Sequence, residues 1–360
     1  VNKLLQSCYI GHLFGKITPD KKYWLCCGNV PSVGSYEKDG SFKKFWKSEK
    51  YNTLRRDLKD NLKEKNKEWD NACNSCPHYA NLKEINEEGG IKEEFPKTGP
   101  KEFQFEIGNP CNHRCDFCWS WSHTMLSDRD KGVDIKWNGW KHWAKEFIEY
   151  DTVKTIVEDL KELGGCEEIS ISGGGEPFIV PRIIEMVKLI KDSGFKLKIF
   201  TNFSKITTDD IENFVKWGVD RFEINISAGT EKTYCESRKL KSKDWTKLWE
   251  RLNLLTEFKV KYNKQNPIFK YVTILTKDNI EEVDEIFELA NKHKSEFLEF
   301  RKMVPSYNFE NLSPTENQLE IFNKKVNVNF EKYYGEPSES YGYWMTSKKN
   351  DFSCYNEAWI

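Results

Sequence analysis

The chain has 360 residues: 38% hydrophobic, 14% aromatic and 31% charged, with 56 basic and 57 acidic side chains and a formal net charge of −1. That length supports more than one folding unit. Thirteen tryptophans argue against a disordered chain, and the even charge balance gives no clear nucleic-acid signal.

No apolar run approaches the roughly 20 residues that cross a bilayer, so no membrane partner is expected. The opening stretch VNKLLQSCYIGHLFG has no signal-peptide core and no initiator Met. The chain stops abruptly at SCYNEAWI, so both ends read as truncated. Eleven cysteines, an odd count gathered in short-range sets, suit metal or cluster ligation in a cytoplasmic protein better than a disulfide framework.

Residues 1–90 read as a small cysteine-rich module of little regular structure, apart from a charged helix around Asn52 to Glu68. It holds Cys8, Cys26, Cys27, Cys73 and Cys76. A zinc ribbon built on the C-x2-C pair Cys73 and Cys76 is one reading. Glycines and prolines mark a linker over 91–101.

Phe103 to Ile107 alternates as a short strand, and four residues later comes CNHRCDFC. Cys111, Cys115 and Cys118 stand in a C-x3-C-x2-C pattern. Three thiolates hold three irons of a cubane cluster, whereas a fully protein-ligated one needs four. The spacing therefore suggests an iron left open for a small molecule. The alternative is zinc, with His113 or Asp116 as a fourth ligand; His113 lies between two of the cysteines and would force a sharp bend. An insertion follows with Trp119, Trp121, Trp137, Trp140 and Trp143; it reads as a wall of the substrate pocket, with ordinary packing around an extra helix as the alternative.

Residues 150–163 then read as a helix and Glu168 to Ser172 as a strand, ending in SGGGEPF. Glycines let backbone approach a ligand closely or take positive φ. Glu176 adds a carboxylate, so the turn suits an ammonium group; the alternative is a plain tight turn into a helix. A phosphate loop would carry a Lys after its glycines. Pro181 to Asp192 reads as a helix, Lys196 to Phe200 as a strand ending at Thr201 and Asn202, and Thr208 to Lys216 as a helix. Arg221 to Ile226 is strand-like and leads through Ser227 into two helical stretches over Glu231 to Phe258, with Arg238 in the first. Phe269 to Leu275 (strand), Ile280 to Lys292 (helix) and Phe297 to Arg301 (strand) close the core over 102–305. Six strand–helix units predict parallel strands with right-handed crossovers, as an incomplete barrel or an open doubly wound sheet. In both, function gathers at the carboxyl ends of the strands.

Residues 306–352 form an expected helical extension, with a helix over Pro314 to Tyr333. Ser353-Cys354-Tyr355 repeats Ser7-Cys8-Tyr9, so 353–360 read as the start of a second, truncated cysteine module. Cys166 and Cys235 are expected to be buried small hydrophobes. His12, His78, His123, His142 and His293 show no mutual spacing that suggests a site.

CNHRCDFC, SGGGEP, TN and the SAG…R run together resemble the radical S-adenosylmethionine (radical SAM) enzymes over roughly residues 101–305. The resemblance implies an α/β fold with a partial (β/α)6 TIM-like barrel. It implies a 4Fe–4S cluster on Cys111, Cys115 and Cys118, its open iron chelated by the amino and carboxylate groups of SAM. Gly174, Gly175 and Glu176 would hold the amino group, and Phe117 would lie near the adenine. Ser227 and Arg238 would contact the ribose and methionine portions, and Asn202 would be a further contact. Reductive cleavage of SAM would give a 5′-deoxyadenosyl radical that takes hydrogen from a substrate. An electron donor such as flavodoxin or ferredoxin is implied.

Cys8, Cys26, Cys73 and Cys76, with Cys27 able to replace Cys26, resemble the order in SPASM or twitch modules. Those modules hold a second, auxiliary iron–sulfur cluster, but they follow the barrel instead of preceding it. Relatives with such modules act on peptides or proteins, and others on sugars or small metabolites; a peptide or protein is the favoured substrate class. The competing class is a non-catalytic zinc- or cluster-binding interaction protein.

Overall fold

The computed structural model describes residues 7–26, 30–75, 91, 93–122, 140–303 and 309–334. Nine strands form one sheet in the order β3-β2-β1-β4-β5-β6-β7-β8-β9. They are β1 Phe14–Ile17, β2 Lys22–Trp24, β3 Gly34–Ser35, β4 Glu102–Glu106, β5 Glu168–Ser172, β6 Lys196–Thr201, β7 Arg221–Asn225, β8 Ile268–Leu275 and β9 Phe297–Lys302. Neighbours from β4 to β9 are all parallel. The helices Tyr150–Leu163, Ile183–Asp192, Thr208–Trp217, Ser242–Lys261 and Val283–Lys292 fall between them, with Glu231–Arg238 as an extra helix after β7. This is the α/β, partial (β/α)6 barrel arrangement, with the sheet left open at β3 and β9.

Alternation along the strands sorts the two faces. Phe103, Phe105, Ile169, Ile171, Leu197, Ile199, Phe222 and Ile224 are fully buried and join the helices in one core. The opposite face is polar. Glu223, 1% exposed, meets Arg301 at 3.2 Å and Arg221 at 3.0 Å. Glu299 meets Arg301 at 2.8 Å and also pairs with Lys270. Charges so desolvated persist because each is paired.

Local sequence sets the helix ends. Thr207 and Asp210 form a reciprocal capping box before Thr208–Trp217, and Gly218 at φ 68° ends that helix. Pro181 was expected inside its helix, but Arg182 takes φ 62° and the helix starts at Ile183. The last helix runs Glu316–Tyr334, with the Thr315 hydroxyl accepting the Gln318 amide at 3.2 Å.

The N-terminal region differs from expectation. Little regular structure is expected over residues 1–90 apart from the charged helix, yet residues 14–35 supply β1 to β3. β1 pairs parallel to β4, Gly15 opposite Phe103. Four-residue and shorter strands give too little alternation to read, and their partner lies some 90 residues away in sequence. Contacts across this seam are apolar: Phe42 meets Phe103 edge-on at 4.7 Å, and a Cβ on Gly15 would lie 2.8 Å from the Phe42 ring. The charged helix is two helices, Glu49–Asp60 and Leu62–Glu68, broken at Asn61. Cys166 and Cys235 are only partly buried, packed against the core edge. Among the described residues, no helix is long and apolar enough to cross a membrane.

Candidate functional site

β4 delivers the chain through Ile107, Gly108 and Asn109 into the cysteine loop, while β5 delivers Gly173 to Glu176 beside it. The two loops touch backbone to backbone. Gly175 N–H donates to Gly108 O at 3.2 Å, and Glu176 N–H donates to Pro110 O at 2.8 Å. A Cβ on Gly173 would lie 2.3 Å from Gly108 O, and one on Gly175 would lie 1.9 Å from Pro110 O. None of Gly173, Gly174 and Gly175 is among the residues with positive φ. Close approach, not backbone handedness, is what these glycines provide.

Cys111, Cys115, Cys118, Phe117, Gly174, Gly175, Glu176, Asn202 and Arg238 line one open pocket of about 450 Å³. His113, Trp121 and Asn225 complete its wall. Burial, then the neighbouring Cys115 and Cys118 thiols, push the Cys111 thiol well up, while the His113 amide bonded to it pulls the other way. Burial pushes Cys115 up to about 11. Thiols so placed ionise readily only when a cation takes them. Among the described residues, His113 Nδ1 and Arg238 Nε are buried without a hydrogen-bond partner. Three converging thiols, two donor-capable nitrogens lacking partners and a glycine cradle fit a cubane cluster with SAM on its open iron.

The alternative fourth metal ligands fare differently. Asp116 turns to Lys239 at 2.7 Å, outside the pocket wall. His113 does line the pocket, and burial with the nearby Arg238 charge holds its pKa down to about 3. Among the described residues, no three His, Cys, Asp or Glu side chains gather as ligands of one metal ion. Thiolates that each bind a different iron of a cubane stand farther apart than those around one tetrahedral ion.

Glu176 is 1% exposed, and its carboxylate accepts the Thr201 hydroxyl at 2.7 Å, Asn202 N–H at 2.7 Å and Phe178 N–H at 3.1 Å. Burial nevertheless pushes it from the usual 4.5 up to about 7. The ligand-free fold therefore holds this proton more tightly than the unfolded chain does. The resulting stability is fully present below about pH 4.5 and lost as pH rises through 7, on the order of 3 kcal/mol. Glu176→Gln should be less stable overall, because its amide would face Asn202 N–H, but should lose that pH slope. Denaturant midpoints from pH 4.5 to 8 measure it; an unchanged slope would refute the assignment.

Arg238 is 1% exposed at the end of its helix. Its Nη2 donates to Asn225 O at 3.0 Å and Oδ1 at 2.6 Å, and its guanidinium lies 5.2 Å from the Phe117 ring centre. The same helix end docks on the cysteine loop: Asp116 N–H donates to Ser237 O at 2.8 Å. Asn202 reaches Asn112 at 3.2 Å. Ser227 sits behind the wall at φ 48°, donating to Asn225 Oδ1 at 2.8 Å and accepting Ile274 N–H at 2.9 Å. Asn225 itself faces the pocket and was missed. Its signal was available, a polar residue closing a strand at the functional end.

Trp121 lines the cluster pocket itself. Its indole N–H holds Asn109 O at 2.8 Å, and the Arg114 guanidinium lies 4.6 Å from its ring centre. Trp119 and Trp143 pack edge-on at 5.6 Å. Trp137 and the Trp140 side chain lie outside the described residues.

Of the N-terminal cysteines, Cys8 is buried, and Cys26 and Cys73 are half-buried. Cys8 N–H donates to Leu58 O at 2.8 Å and Cys73 N–H to Asn66 Oδ1 at 2.7 Å. Cys8 and Cys26 are both close enough to the buried Tyr51 hydroxyl to perturb it. Cys27, Cys76 and the 353–360 segment lie outside the described residues.

Known proteins bear on this geometry. Residues 105–290 match the family model of the Radical SAM superfamily. The tungsten-containing aldehyde ferredoxin oxidoreductase cofactor-modifying protein of Pyrococcus furiosus is 23% identical over 190 residues, 52% of this chain and 47% of that protein. The AdoMet-dependent heme synthase of Methanosarcina barkeri is 27% identical over 195 residues, 54% of this chain and 48% of that protein. The chain thus spans about half the length of the curated relatives it matches. Streptococcus suis SuiB bound to S-adenosylmethionine shares the fold, with a TM-score of 0.50 and 15% identity over 74% of this chain and 54% of that one. Membership implies a 4Fe–4S cluster and SAM as cofactors. With the family model covering half the chain and its signature residues gathered at one set of strand ends, this chain belongs to the radical SAM superfamily.

Proposed function

We propose that this chain is a radical SAM enzyme that removes hydrogen from a substrate bound beside the cysteine pocket. The supporting observation is convergence. Cys111, Cys115 and Cys118, the Gly174–Glu176 turn and Asn202 follow three strand ends, and Arg238 comes from the end of the helix after β7; all meet in one pocket. When bound, the cluster and SAM supply a 5′-deoxyadenosyl radical through one-electron cleavage of the sulfonium. The chain's own work is placement. The three cysteines hold three irons and leave one free. Carbonyls of the Gly174–Gly175 turn receive the ammonium, with the buried Glu176 carboxylate adding negative charge behind it. Arg238 and Asn225 form the rim on the methionine and ribose side, with Ser227 holding Asn225 from behind instead of lining the pocket, and Phe117 offers a face to the adenine. Asn202 fixes Glu176 through its backbone amide.

Cys8, Cys26, Cys73 and Cys76, with Cys27 able to replace Cys26, are proposed to hold an auxiliary iron–sulfur cluster, and a flavodoxin or ferredoxin to supply electrons in the cytoplasm. A peptide or protein is the proposed substrate class. SuiB has been solved with its precursor peptide SuiA, while curated relatives are a cofactor-modifying protein, a heme synthase and a tRNA 4-demethylwyosine synthase. Air-free reconstitution with iron and sulfide, followed by dithionite and SAM, tests the core reading. Release of 5′-deoxyadenosine from brown protein supports it, and iron and sulfide content separates one cluster from two. Colourless, zinc-loaded protein that releases none would overturn it in favour of an interaction protein.

A further inference from the structure

Ser120 lies two residues past the last cysteine and is 1% exposed. Its hydroxyl donates to Gly174 O at 3.0 Å and stands 3.3 Å from Cys118 Sγ. A serine hydroxyl has one proton, so it serves one of these two acceptors at a time. Cys118 Sγ also accepts the Trp121 backbone N–H at 3.2 Å. The surroundings hold both acceptors still. A Cβ on Gly174 would lie 2.7 Å from the Trp143 ring, and the Trp143 carbonyl accepts Asn109 Nδ2 at 2.9 Å. Ser120 therefore touches both halves of the site, the cluster ligand and the ammonium-binding turn.

We propose that Ser120 is a positioning residue that couples occupation of the glycine turn to the reduction potential of the cluster. This rests on the proposed function above. With the turn empty, the hydroxyl donates to the Gly174 carbonyl. An ammonium on that carbonyl supplies it with a stronger, charged donor. The Cys118 thiolate is then the better acceptor for the hydroxyl, since hydrogen bonds to ionised groups are roughly twice as strong as neutral ones. Only rotation about the Cβ–Oγ bond is needed, and the proton stays on Ser120. A hydrogen bond to a cluster sulfur favours the more negative, reduced form and raises the potential. The electron would enter more readily once SAM is seated.

Redox titrations followed by electron paramagnetic resonance, with and without SAM, test this in the wild type, Ser120→Ala and Ser120→Gly. Without SAM the three should share one midpoint. With SAM, the variants should fall below the wild type by about tenfold in the reduction equilibrium, which is about 59 mV for one electron. A displacement of equal size with and without SAM would mean a constant hydrogen bond and overturn the coupling. So would identical midpoints in both conditions. If neither variant assembles a cluster, the hydroxyl serves assembly and the coupling is likewise overturned. Failure of the functional reading shows separately, as wild-type protein that lacks a cluster signal or does not bind SAM.

Discussion

Cys115→Ala protein is expected to leave anaerobic reconstitution without a four-iron cluster and to release 5′-deoxyadenosine at less than about one-hundredth of the wild-type rate. Loss of mere outer-shell partners costs 10- to 100-fold at metal sites, and Cys115 is a proposed ligand itself. Its thiol is the middle one of the three and packs against the small apolar group of Phe117, Ile274 and Met303. Without it, two thiolates remain, too few to hold the cubane while leaving a single iron open. The fold should survive, because the deleted sulfur is small and at the edge of this satellite group. Unchanged thermal unfolding of the metal-free proteins, beside lost absorbance and lost SAM cleavage, is the expected pair. Full cluster content in Cys115→Ala would mean that other residues ligate the iron.

Gly175→Ala carries the second large expected effect, through sterics alone. Its new methyl would lie 1.9 Å from Pro110 O and 2.3 Å from Asn109 O. Those atoms are backbone and cannot turn aside as a side chain would. Either the glycine turn or the cysteine loop must move, and overpacking of this kind costs about 1–3 kcal/mol, occasionally more. We expect lower stability, a cysteine loop displaced from its register with the turn, and SAM affinity reduced at least tenfold. Gly164→Ala is the control. Gly164 has φ 68° but nothing within 4 Å of its missing Cβ, so only local strain is expected there, with normal cluster content and SAM binding. Calorimetry, cluster absorbance and equilibrium dialysis with SAM separate the two. Wild-type cluster content and affinity in Gly175→Ala would contradict the backbone contact as a functional constraint.

Much of this architecture was legible in the chain because its elements are locally specified. The Tyr150–Leu163 helix and the Glu168–Ser172 strand have the bounds that hydrophobic periodicity predicts, and Thr207 with Asp210 announces a helix start. The cysteine spacing and the glycine–glutamate turn pointed to the chemistry together, through their resemblance to a family, because they fall on consecutive strand ends of one repeat. A β-strand of four residues such as Phe14–Ile17 carries no comparable signal. Its place is decided by Phe103 and Phe42, which are close only after folding.

The site divides in the same way. Sequence alone determined a three-thiolate clamp, a carboxylate after three glycines, and six parallel units whose strand ends would bring them together. It left open whether those glycines serve close approach or positive φ. It also could not foresee that Asp116 would pair with Lys239, that Asn225 would stand at the wall in front of Ser227, or that the Ser120 hydroxyl would sit between Cys118 and Gly174. Those facts depend on contacts between residues 54 and 123 positions apart, or on which way a short side chain turns. Local propensity is silent about both; packing of the completed sheet against its helices decides them.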